Sequence, residues 1–392
     1  MQNTPENTSE ALRASVLNWL GSQRQSMQSL LQEIVDIDSG SRQVEGIEAV
    51  AKVLRGHLEA AGIAVDFHPV EGYGPMLQGR LPGSVEGPPV FLMGHMDTVY
   101  PAGTVARRPF RIEGARAFGP GVADMKSGLV LNVFVAEALA RTGAAAGLRA
   151  PLRLLFSCDE EIGSPATRER IMEVTRGARA VFNAEPGRVS GNVVTSRKGS
   201  MVVEFEVDGV AAHAGINPAA GASAIDALAR KILALHALND PATGLTVNVG
   251  VIGGGIVPNM VAPLARAEVD IRYTAALDPD ELLARIRAVI EEESLPRTRG
   301  RVTVERRTLP MCETPAPLLS LYRSSAQAVG FDVQGEFTGG AADSGLTASV
   351  GVPTLCATGP VGGHVHTERE YCELDTFVPR AQALALALLD LE

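Results

Sequence analysis

The chain has 392 residues, of which 45% are hydrophobic and 20% are charged, and its formal net charge is -10. This length exceeds what one ordinary hydrophobic core holds, so we expect a globular protein of two domains. The acidic balance and the lack of a Lys/Arg run argue against nucleic acid as a partner, because phosphate binding needs a basic face. A small molecule or a peptide is the expected partner.

The start of the chain and its cysteines bear on location. Residues 1–10 are polar and lack a basic segment followed by an apolar one, which predicts no signal peptide. No apolar run approaches the roughly 20 residues that span a bilayer. The cysteines are far apart and have no Cys-x-x-Cys spacing, which argues against a disulfide framework or a cysteine zinc knuckle. We therefore expect free thiols in a reducing cytoplasm and no membrane partner. The cysteines are Cys158, Cys312, Cys356 and Cys372.

Helices and strands alternate through the first half of the chain, which indicates a mostly parallel sheet wrapped by helices. Apolar spacing of the helical kind occurs at residues 11–37 and 47–62, and a long apolar helix is predicted at 129–140. Strands are predicted at 64–69, 77–81, 88–93 and 179–182, and in the apolar run that follows Pro151.

From about residue 200 the pattern changes. Strands are predicted at 201–207, 245–252, 265–273 and 301–307, and helices at 222–238 and 279–294. This β-α-β-β-α-β order is the ferredoxin-like pattern and predicts an α+β domain inserted into the first. After residue 310 the α/β character returns, with a helix at 317–329, a strand at 354–357 and a closing helix from about 376. The predicted domains are therefore 1–199 with 310–392, and 200–309.

Polar side chains follow the predicted strands of the first domain where each strand ends. In an open α/β sheet the carboxyl ends of the strands form the ligand-binding edge, so we expect these side chains to meet there. Asp124 stands in a glycine-rich turn before the helix at 129–140, where it could be a ligand or an N-cap. The candidates are His95, Asp97, Asp124, Glu160, Glu161, Glu185 and His366.

Histidine and carboxylate ligands without thiolates suit zinc, manganese or cobalt at a hydrolytic site. A shared carboxylate implies two metals about 3.5 to 4 Å apart, bridged by a water whose pKa is lowered to give a hydroxide nucleophile. Asp97 could orient the His95 ring by accepting its second N–H. Because neighbouring side chains point in different directions, one of the acids at 159–161 can bind metal while the next acts as general base. The alternatives are a solvated acidic loop and a structural histidine.

Five motifs in this order resemble those of the dinuclear zinc exopeptidase and aminoacylase family, and most closely its glucarpidase (glutamate carboxypeptidase) branch. The resemblance covers nearly the whole chain, including the inserted domain. The motifs are GHMDTV at 94–99, GVADMKSG at 121–128, DEEIGS at 159–164, NAEP at 183–186 and HTEREY at 366–371.

The resemblance implies two zinc ions, with cobalt or manganese as substitutes, and a role for each candidate. His95 and Glu185 would hold one zinc, Glu161 and His366 the other, and Asp124 would bridge them. Glu160 would be the general base and Asp97 the partner of the His95 ring. His364 competes with His366, which is preferred because the family's histidine is followed four positions later by Glu, here Glu370.

The resemblance also implies that the inserted domain pairs with its copy in a second subunit and closes over the site. His213, in VAAHAG at 210–215, would reach across this homodimer to the developing oxyanion, or is an ordinary turn residue. Asn259 and Arg272 would hold the substrate carboxylate, with Lys198 as a further contact. An Arg fork pairs bidentately with a carboxylate, although Arg272 could also be a wet-face strand residue.

One segment departs from the family pattern. The family commonly has Ser before the Asp of the glycine-rich stretch at 338–344 and Asn shortly after it, and this chain has Ala342 and Gly345 there. Because this segment lines the substrate pocket in relatives, the preferred side chain stays open.

The expected function is metal-dependent hydrolysis of an amide bond to a C-terminal or N-acylated amino acid, with glutamate as a candidate. A family aminopeptidase or dipeptidase is the alternative, along with another N-acyl-amino-acid deacylase. A pocket for a free amine should offer carboxylates, however, whereas this chain offers Arg272, Lys198 and Asn259. A non-catalytic binding protein with this fold is the remote alternative.

Overall fold

The computed structural model describes residues 5–391, with side chains from Glu10 onward. Residues 1–4 of the predicted polar start and residue 392 lie outside the described residues. The chain folds into two compact units. The inserted unit comprises Arg197–Cys312 and Thr338–Ala341, and the larger unit comprises the remaining described residues.

The strands are β1 (Ala64–Val70), β2 (Gly74–Leu81), β3 (Val90–His95), β4 (Arg111–Glu113), β5 (Arg116–Phe118), β6 (Leu152–Ser157), β7 (Ala180–Asn183), β8 (Val193–Arg197), β9 (Gly199–Asp208), β10 (Thr246–Gly254), β11 (Leu264–Tyr273), β12 (Arg299–Thr308), β13 (Gly335–Thr338), β14 (Thr354–Cys356), β15 (Gly362–Gly363) and β16 (Tyr371–Glu373). The α-helices are α1 (Pro5–Ser22), α2 (Arg24–Val35), α3 (Val44–Ala60), α4 (Thr104–Arg107), α5 (Ser127–Arg141), α6 (Arg168–Thr175), α7 (Ala224–His236), α8 (Pro279–Glu291), α9 (Ala316–Ala328), α10 (Ser344–Ser349) and α11 (Phe377–Asp390).

The main sheet of the larger unit has the order β1-β2-β6-β3-β7-β14-β8-β13. Its centre, β6-β3-β7-β14, is parallel, whereas β1, β2 and β8 pair antiparallel with their neighbours. Every residue of β3 is buried, as expected for a central parallel strand covered on both faces. Helix α5 is buried over nearly its whole length, which explains its apolar sequence. A smaller sheet, β15-β16-β5-β4, lies in the same unit.

The inserted unit has the predicted order β9-α7-β10-β11-α8-β12, and its antiparallel sheet has the order β10-β11-β9-β12. Burial alternates along β9, so one face of the sheet packs against the helices. Ser223 and Asp278 cap α7 and α8 by accepting hydrogen bonds from backbone N–H groups of the first turn. The predicted fold class, a mostly parallel α/β unit with a ferredoxin-like insertion, is confirmed.

Two local predictions are wrong. The helix predicted at 11–37 is two helices, α1 and α2, separated by a turn at Gln23, and the hydroxyl of Ser22 at the end of α1 donates to the carbonyl of Trp19. Asp124 is not the N-cap of α5, since that helix begins at Ser127 and Lys126 occupies the capping position. Asp124 lies instead in the short irregular turn that precedes the helix. None of the helices between residues 5 and 391 is both long and apolar enough to cross a bilayer.

Candidate metal centre and active site

Three adjacent parallel strands bring the predicted polar residues to one edge of the main sheet. Strand β3 lies between β6 and β7, and His95 at its end pairs with Ser157 at the end of β6. The chain continues from β6 into Glu160 and Glu161, and from β7 into Glu185. Because the strands are parallel, their carboxyl ends share an edge, and the side chains that follow them meet there.

The carboxylate of Asp97 connects the His95 ring to the turn that carries Glu160 and Glu161. His95 Nδ1 lies 3.3 Å from Asp97 Oδ1 and 3.0 Å from the Asp97 carbonyl oxygen. The backbone N–H groups of Glu160 and Glu161 donate to Asp97 Oδ1 and Oδ2, each at 3.1 Å. Ser41, which the sequence did not single out, donates to Asp97 Oδ2 at 2.6 Å. In a neutral ring that donates from Nδ1 to Asp97, Nε2 is left as a ligand atom.

Three side chains, those of Asp124, Glu161 and His366, come together next to His95 Nε2. We call these three residues and His95 the ligand cluster. His95 Nε2 lies 3.3 Å from Asp124 Oδ1. His366 Nε2 lies 3.3 Å from Asp124 Oδ2 and 3.1 Å from Glu161 Oε2. Asp124 therefore faces a histidine with each of its two oxygens, which is the arrangement required of a bridging carboxylate. One ligand atom each from His95, Asp124 and Glu161 lies within 4.8 Å of the others.

Two further carboxylates approach the same ring nitrogen. Glu160 Oε2 and Glu185 Oε1 each lie 3.9 Å from His95 Nε2. Both side chains are largely buried, with 13% and 7% exposed. The structure thus brings together all seven residues that the strand ends, the glycine-rich turn and the last motif predicted.

The electrostatics of the cluster fit a cation. Burial raises the pKa of Glu160 well above its ordinary value and that of Glu161 to about 7. Hydrogen bonds to Asp124 and Glu161 raise the pKa of His366 to about 10. Burial also acts to raise the pKa of Asp124, but the bonds from His366 and His95 outweigh it and hold that pKa below its usual range.

Within the chain itself, protons on the histidines and acids offset the crowded negative charge. Divalent cations would offset it while leaving Glu160 ionised. The Oε1 atom of Glu161 is buried and accepts no hydrogen bond from any described residue, as expected of an oxygen that coordinates a metal. With two imidazoles, carboxylates and no thiolate, the donor set suits zinc, cobalt or manganese.

Glu370 holds the turn that carries Asp124. It is fully buried, and Oε1 accepts hydrogen bonds from the backbone N–H groups of Ala123 and Asp124 at 2.9 and 3.0 Å. Its Oε2 accepts from the Gly121 N–H at 3.3 Å and from the Tyr100 hydroxyl at 2.6 Å. In the sequence, Glu370 served only to favour His366 over His364 as the metal ligand. Its role in holding the turn had no local signal, because its burial and its hydrogen-bond partners, 246 to 270 positions away, are seen only in the structure.

Two other acids fix the loop at 159–164. Asp159 accepts from the backbone N–H groups of Ala166 and Thr167 and from the Thr167 hydroxyl, so its role is local structure. Asp343, in the glycine-rich segment that departs from the family pattern, accepts from the hydroxyls of Ser157 and Ser164. These serines flank Glu160 and Glu161 in sequence, so Asp343 clamps the loop at both ends.

His364 lies in a different environment from His366. Its ring packs edge-on against Tyr371 at a centroid distance of 5.8 Å. It also lines a cavity of about 360 Å³ with residues 186–190, Glu336 and Val365. The structure therefore brings His366, and not His364, to the carboxylates of the ligand cluster.

Arg272 and Lys198 of the inserted unit both have internal partners. Arg272 forms a two-pronged ion pair with Asp270, with Nε and Nη2 each 3.0 Å from a carboxylate oxygen. Lys198 Nζ donates to the carbonyl of Gly244.

His213 and Asn259 lie on neighbouring loops of the inserted unit. The Asn259 carbonyl accepts a hydrogen bond from the Ala214 N–H at 2.9 Å. The backbones of His213 and Met260 pair in an isolated antiparallel β-bridge. His213 Nδ1 accepts hydrogen bonds from the N–H groups of Gly215 and Ile216, each at 3.1 Å. The neutral ring therefore carries its proton on Nε2, which is an exposed donor.

Known proteins share this sequence pattern and fold. The profile of Peptidase family M20/M25/M40 matches residues 91–390. Carboxypeptidase G2 of Pseudomonas sp. (strain RS-16) is 29% identical over 377 residues, covering 92% of this chain and 88% of that protein. A tripeptidase structure from Staphylococcus aureus has a TM-score of 0.77 at 20% identity, covering 93% and 97% of the two chains. A family M20 metallo-carboxypeptidase structure from Sulfolobus solfataricus has a TM-score of 0.74 at 18% identity, covering 93% and 98%.

These matches confirm the resemblance that the five motifs predicted. The family profile covers more than half of the chain, including the ligand cluster and the inserted unit. The chain therefore belongs to Peptidase family M20/M25/M40 and is a hydrolase.

Proposed function

We propose that this protein is a two-metal hydrolase that cleaves the amide bond to a C-terminal or N-acylated amino acid. The observation that carries the proposal is the convergence of His95, Asp124, Glu161 and His366, with the His95 ring anchored on Asp97. Two Zn²⁺ ions, replaceable by Co²⁺ or Mn²⁺, would be held by this ligand cluster and Glu185. When bound, they would polarise the scissile carbonyl and lower the pKa of a water.

The chain's own residues then move the protons. Glu160 takes a proton from the attacking water and passes it to the leaving amine. Its position supports this role, because it is buried beside His95 and burial strengthens it as a base. Asp97 helps to position Glu160, because its Oδ1 accepts a hydrogen bond from the backbone N–H of Glu160.

Replacing Glu160 tests the function. In Glu160→Gln we expect kcat to fall by roughly 10²–10⁴-fold, since general-base catalysis contributes that much. Metal content, measured by atomic spectroscopy, should stay at two ions per chain. Glu169→Gln, at an exposed position on α6, is the control and should keep full turnover. Near-normal turnover in Glu160→Gln would refute the assignment.

We propose that the inserted unit supplies the substrate contacts. Arg272, Asn259 and Lys198 would hold the substrate carboxylate, which favours glutamate or another amino acid as the released product. His213 would donate from Nε2 to the developing oxyanion of a partner subunit's substrate. The support is chemical: a guanidinium already arranged to grip a carboxylate, and a histidine whose Nε2 is a donor.

We propose a catalytic domain of residues 1–199 with 310–392 and a dimerisation and lid domain of residues 200–309. The two compact units have limits close to these. Strand β10 is an edge of its sheet and exposes Val251 and Ile252, and such an edge is suited to a homodimer contact. Light scattering that found only monomer would remove both the homodimer and the role of His213 across it.

We propose a cytoplasmic location. Cys158, Cys312 and Cys372 are free thiols, which fits a reducing compartment. Cell fractionation tests this, and activity confined to the extracellular fraction would contradict it.

A further inference from the structure

We propose, building on the ligand set of the proposed function, that Tyr100 is a positioning residue for His366. Tyr100 lies in the loop that follows β3 and His95. Its hydroxyl donates to the carbonyl oxygen of Thr367, the residue next to His366, at 2.9 Å. Tyr100 acts on the metal site through this loop and is not itself a ligand.

The backbone of His366 adopts a conformation that few side chains tolerate. Its φ angle is 62°, in the left-handed region. A residue other than glycine stays in this region only where the surrounding contacts hold it there. The His366 side chain is 50% exposed, whereas those of Asp124 and Glu161, which it meets, are 14% and 5% exposed. Packing therefore holds His366 less firmly than these two ligands, and the bonds to its loop matter more.

Two side chains from the segment between β3 and β4 donate to the Thr367 carbonyl. The Tyr100 hydroxyl lies 2.9 Å from it and Arg108 Nη2 lies 3.3 Å from it. The Arg108 guanidinium also lies over the Tyr100 ring, 5.2 Å from its centroid. Bonds within the loop run from the Glu370 N–H to the Thr367 carbonyl and from the Thr367 N–H to the His364 carbonyl, each at 3.2 Å. These local bonds shape the loop, whereas Tyr100 and Arg108 attach it to the segment after β3.

The same hydroxyl also reaches Glu370, the acid that fixes the turn of Asp124. Tyr100 Oη lies 2.6 Å from Glu370 Oε2. A hydroxyl has one proton, so the two acceptors share it in a three-centre hydrogen bond. Without the hydroxyl, Glu370 keeps three backbone N–H donors from that turn. The Thr367 carbonyl, in contrast, keeps only Arg108 of its two side-chain donors, so loss of the hydroxyl loosens His366 more than Asp124.

The backbone of Tyr100 gives the hydroxyl a fixed base. Its N–H donates to Thr98 Oγ1 at 3.4 Å, and its carbonyl accepts from Gln43 Nε2 at 3.2 Å. The Thr98 N–H in turn donates to the Ser39 carbonyl at 2.9 Å. Tyr100 thus connects the loop of His366 to the strand end that carries His95.

Tyr100→Phe tests this role, because it removes the hydroxyl and keeps the ring. Competition with a fluorescent chelator gives the two stepwise Zn²⁺ affinities. We expect one Kd to rise by about tenfold or more, as for other outer partners of a ligand, and the other to change by less than about threefold. In Co²⁺-loaded protein, the visible absorption of one ion should change. Excess metal should restore kcat with KM unchanged.

Tyr322→Phe is the matched control. The Tyr322 hydroxyl is buried and has no hydrogen-bond partner among the described residues, so its loss should leave both metal affinities at the parental values. A second background identifies the ligand on which Tyr100 acts. In His366→Ala, adding Tyr100→Phe should change the remaining metal affinity by less than about twofold, because the effect passes through the histidine already removed.

Parental values of both Kd in Tyr100→Phe would overturn the proposal, including the case in which only the Tm of the metal-free protein falls, since that would be a structural role alone. A full further loss of affinity in the His366→Ala background would overturn it as well. Should Tyr100→Phe not fold by circular dichroism, Arg108→Met takes its place: the same Kd should rise, by a smaller factor, and a parental value would overturn the proposal.

Metal binding is measured without substrate, so these outcomes do not depend on the hydrolysis reaction. Failure of the proposed function would appear instead in the parent protein, as two bound metals without cleavage of any N-acyl amino acid.

Discussion

The ligand cluster of the larger unit and the residues of the inserted unit that we propose to hold the substrate are built in opposite ways. Carboxylates that are not themselves ligands hold the cluster in place. Asp97 fixes His95, Glu370 fixes the turn of Asp124, and Asp343 fixes the loop of Glu160 and Glu161. Arg272 and Lys198, in contrast, have as partners Asp270 and the Gly244 carbonyl, which the proposed substrate carboxylate would have to displace.

Under the proposed function, this difference would assign catalysis to the larger unit and substrate selectivity to the inserted unit. A metal centre must be arranged before the substrate arrives, since its ligands cannot reorganise during each turnover. An arginine can exchange one carboxylate partner for another, because an Arg–Asp ion pair at a partly exposed position contributes little to stability. We expect changes in the larger unit to abolish activity and changes in the inserted unit to alter which substrates are used.

The sharpest test compares two histidines two positions apart. His366→Ala should lower metal affinity by more than the roughly 10–100-fold that loss of an outer hydrogen-bond partner costs, because it removes a ligand. His364→Ala should keep two metals, since that ring lines a neighbouring cavity. Competition with a fluorescent chelator measures both. Equal metal loss in the two variants would contradict the proposed ligand set.

Glu370→Gln tests whether the support behind the ligands matters. The amide can accept fewer of the backbone N–H groups from the turn of Asp124, so we expect metal affinity to fall by roughly 10–100-fold. Excess metal should restore much of the activity. The control is Glu368→Gln, an exposed neighbour. An affinity identical to that of the parent would show that the turn holds its shape without the carboxylate charge.

The inserted unit should respond differently. Arg272→Lys cannot form a bidentate pair, so KM for N-acylglutamate should rise by roughly tenfold with little change in kcat. Arg266→Lys, at an exposed position on the same strand, should behave like the parent. A panel of N-acyl amino acids with one acyl group tests the glutamate preference, and equal rates for glutamate, leucine and alanine derivatives would refute it.

The smallest expected effect is on the pH dependence of stability in metal-free protein. The pKa of His366 is raised from 6.5 to about 10, so its stabilising contribution is complete below 6.5 and is lost as pH rises toward 10. The pKa of Glu161 is raised from 4.5 to about 7, so the folded state favours its protonated form and loses this contribution between those values. Tm of the metal-free protein should therefore fall by a few degrees between pH 6 and 9.

Metal-loaded protein is the control. Its cations should balance the negative charge of the ligand-cluster carboxylates, so its Tm should change less over this pH range. Scanning calorimetry at matched ionic strength compares the two forms. A Tm of the metal-free form that rose over this range would show that the cluster does not hold its charges as described.

The sequence predicted the fold and the cluster where local rules suffice. Apolar runs marked the central strands, alternation marked β9, and acids at the ends of parallel strands predicted that His95, Glu161 and Glu185 would meet. The pairing of Arg272 with Asp270 was accessible too, because residues two apart on a strand share a face. The sequence missed what depends on tertiary contact. The roles of Ser41, Asp343 and Glu370 arise from hydrogen bonds to distant parts of the chain.

The bond between Glu370 and the Asp124 N–H joins residues 246 positions apart. Strand β14, which pairs with β7 near the centre of the main sheet, also comes from the last part of the chain. During synthesis, the first ligands therefore emerge long before the strand, the histidine and the acid that complete their site. Because contacts so distant in sequence form late in folding, the nascent chain would lack the complete set of proposed ligands. With the ligand set proposed above, metal binding would require the part of the chain that carries His366 and Glu370, and a chain terminated before these residues would bind metal poorly.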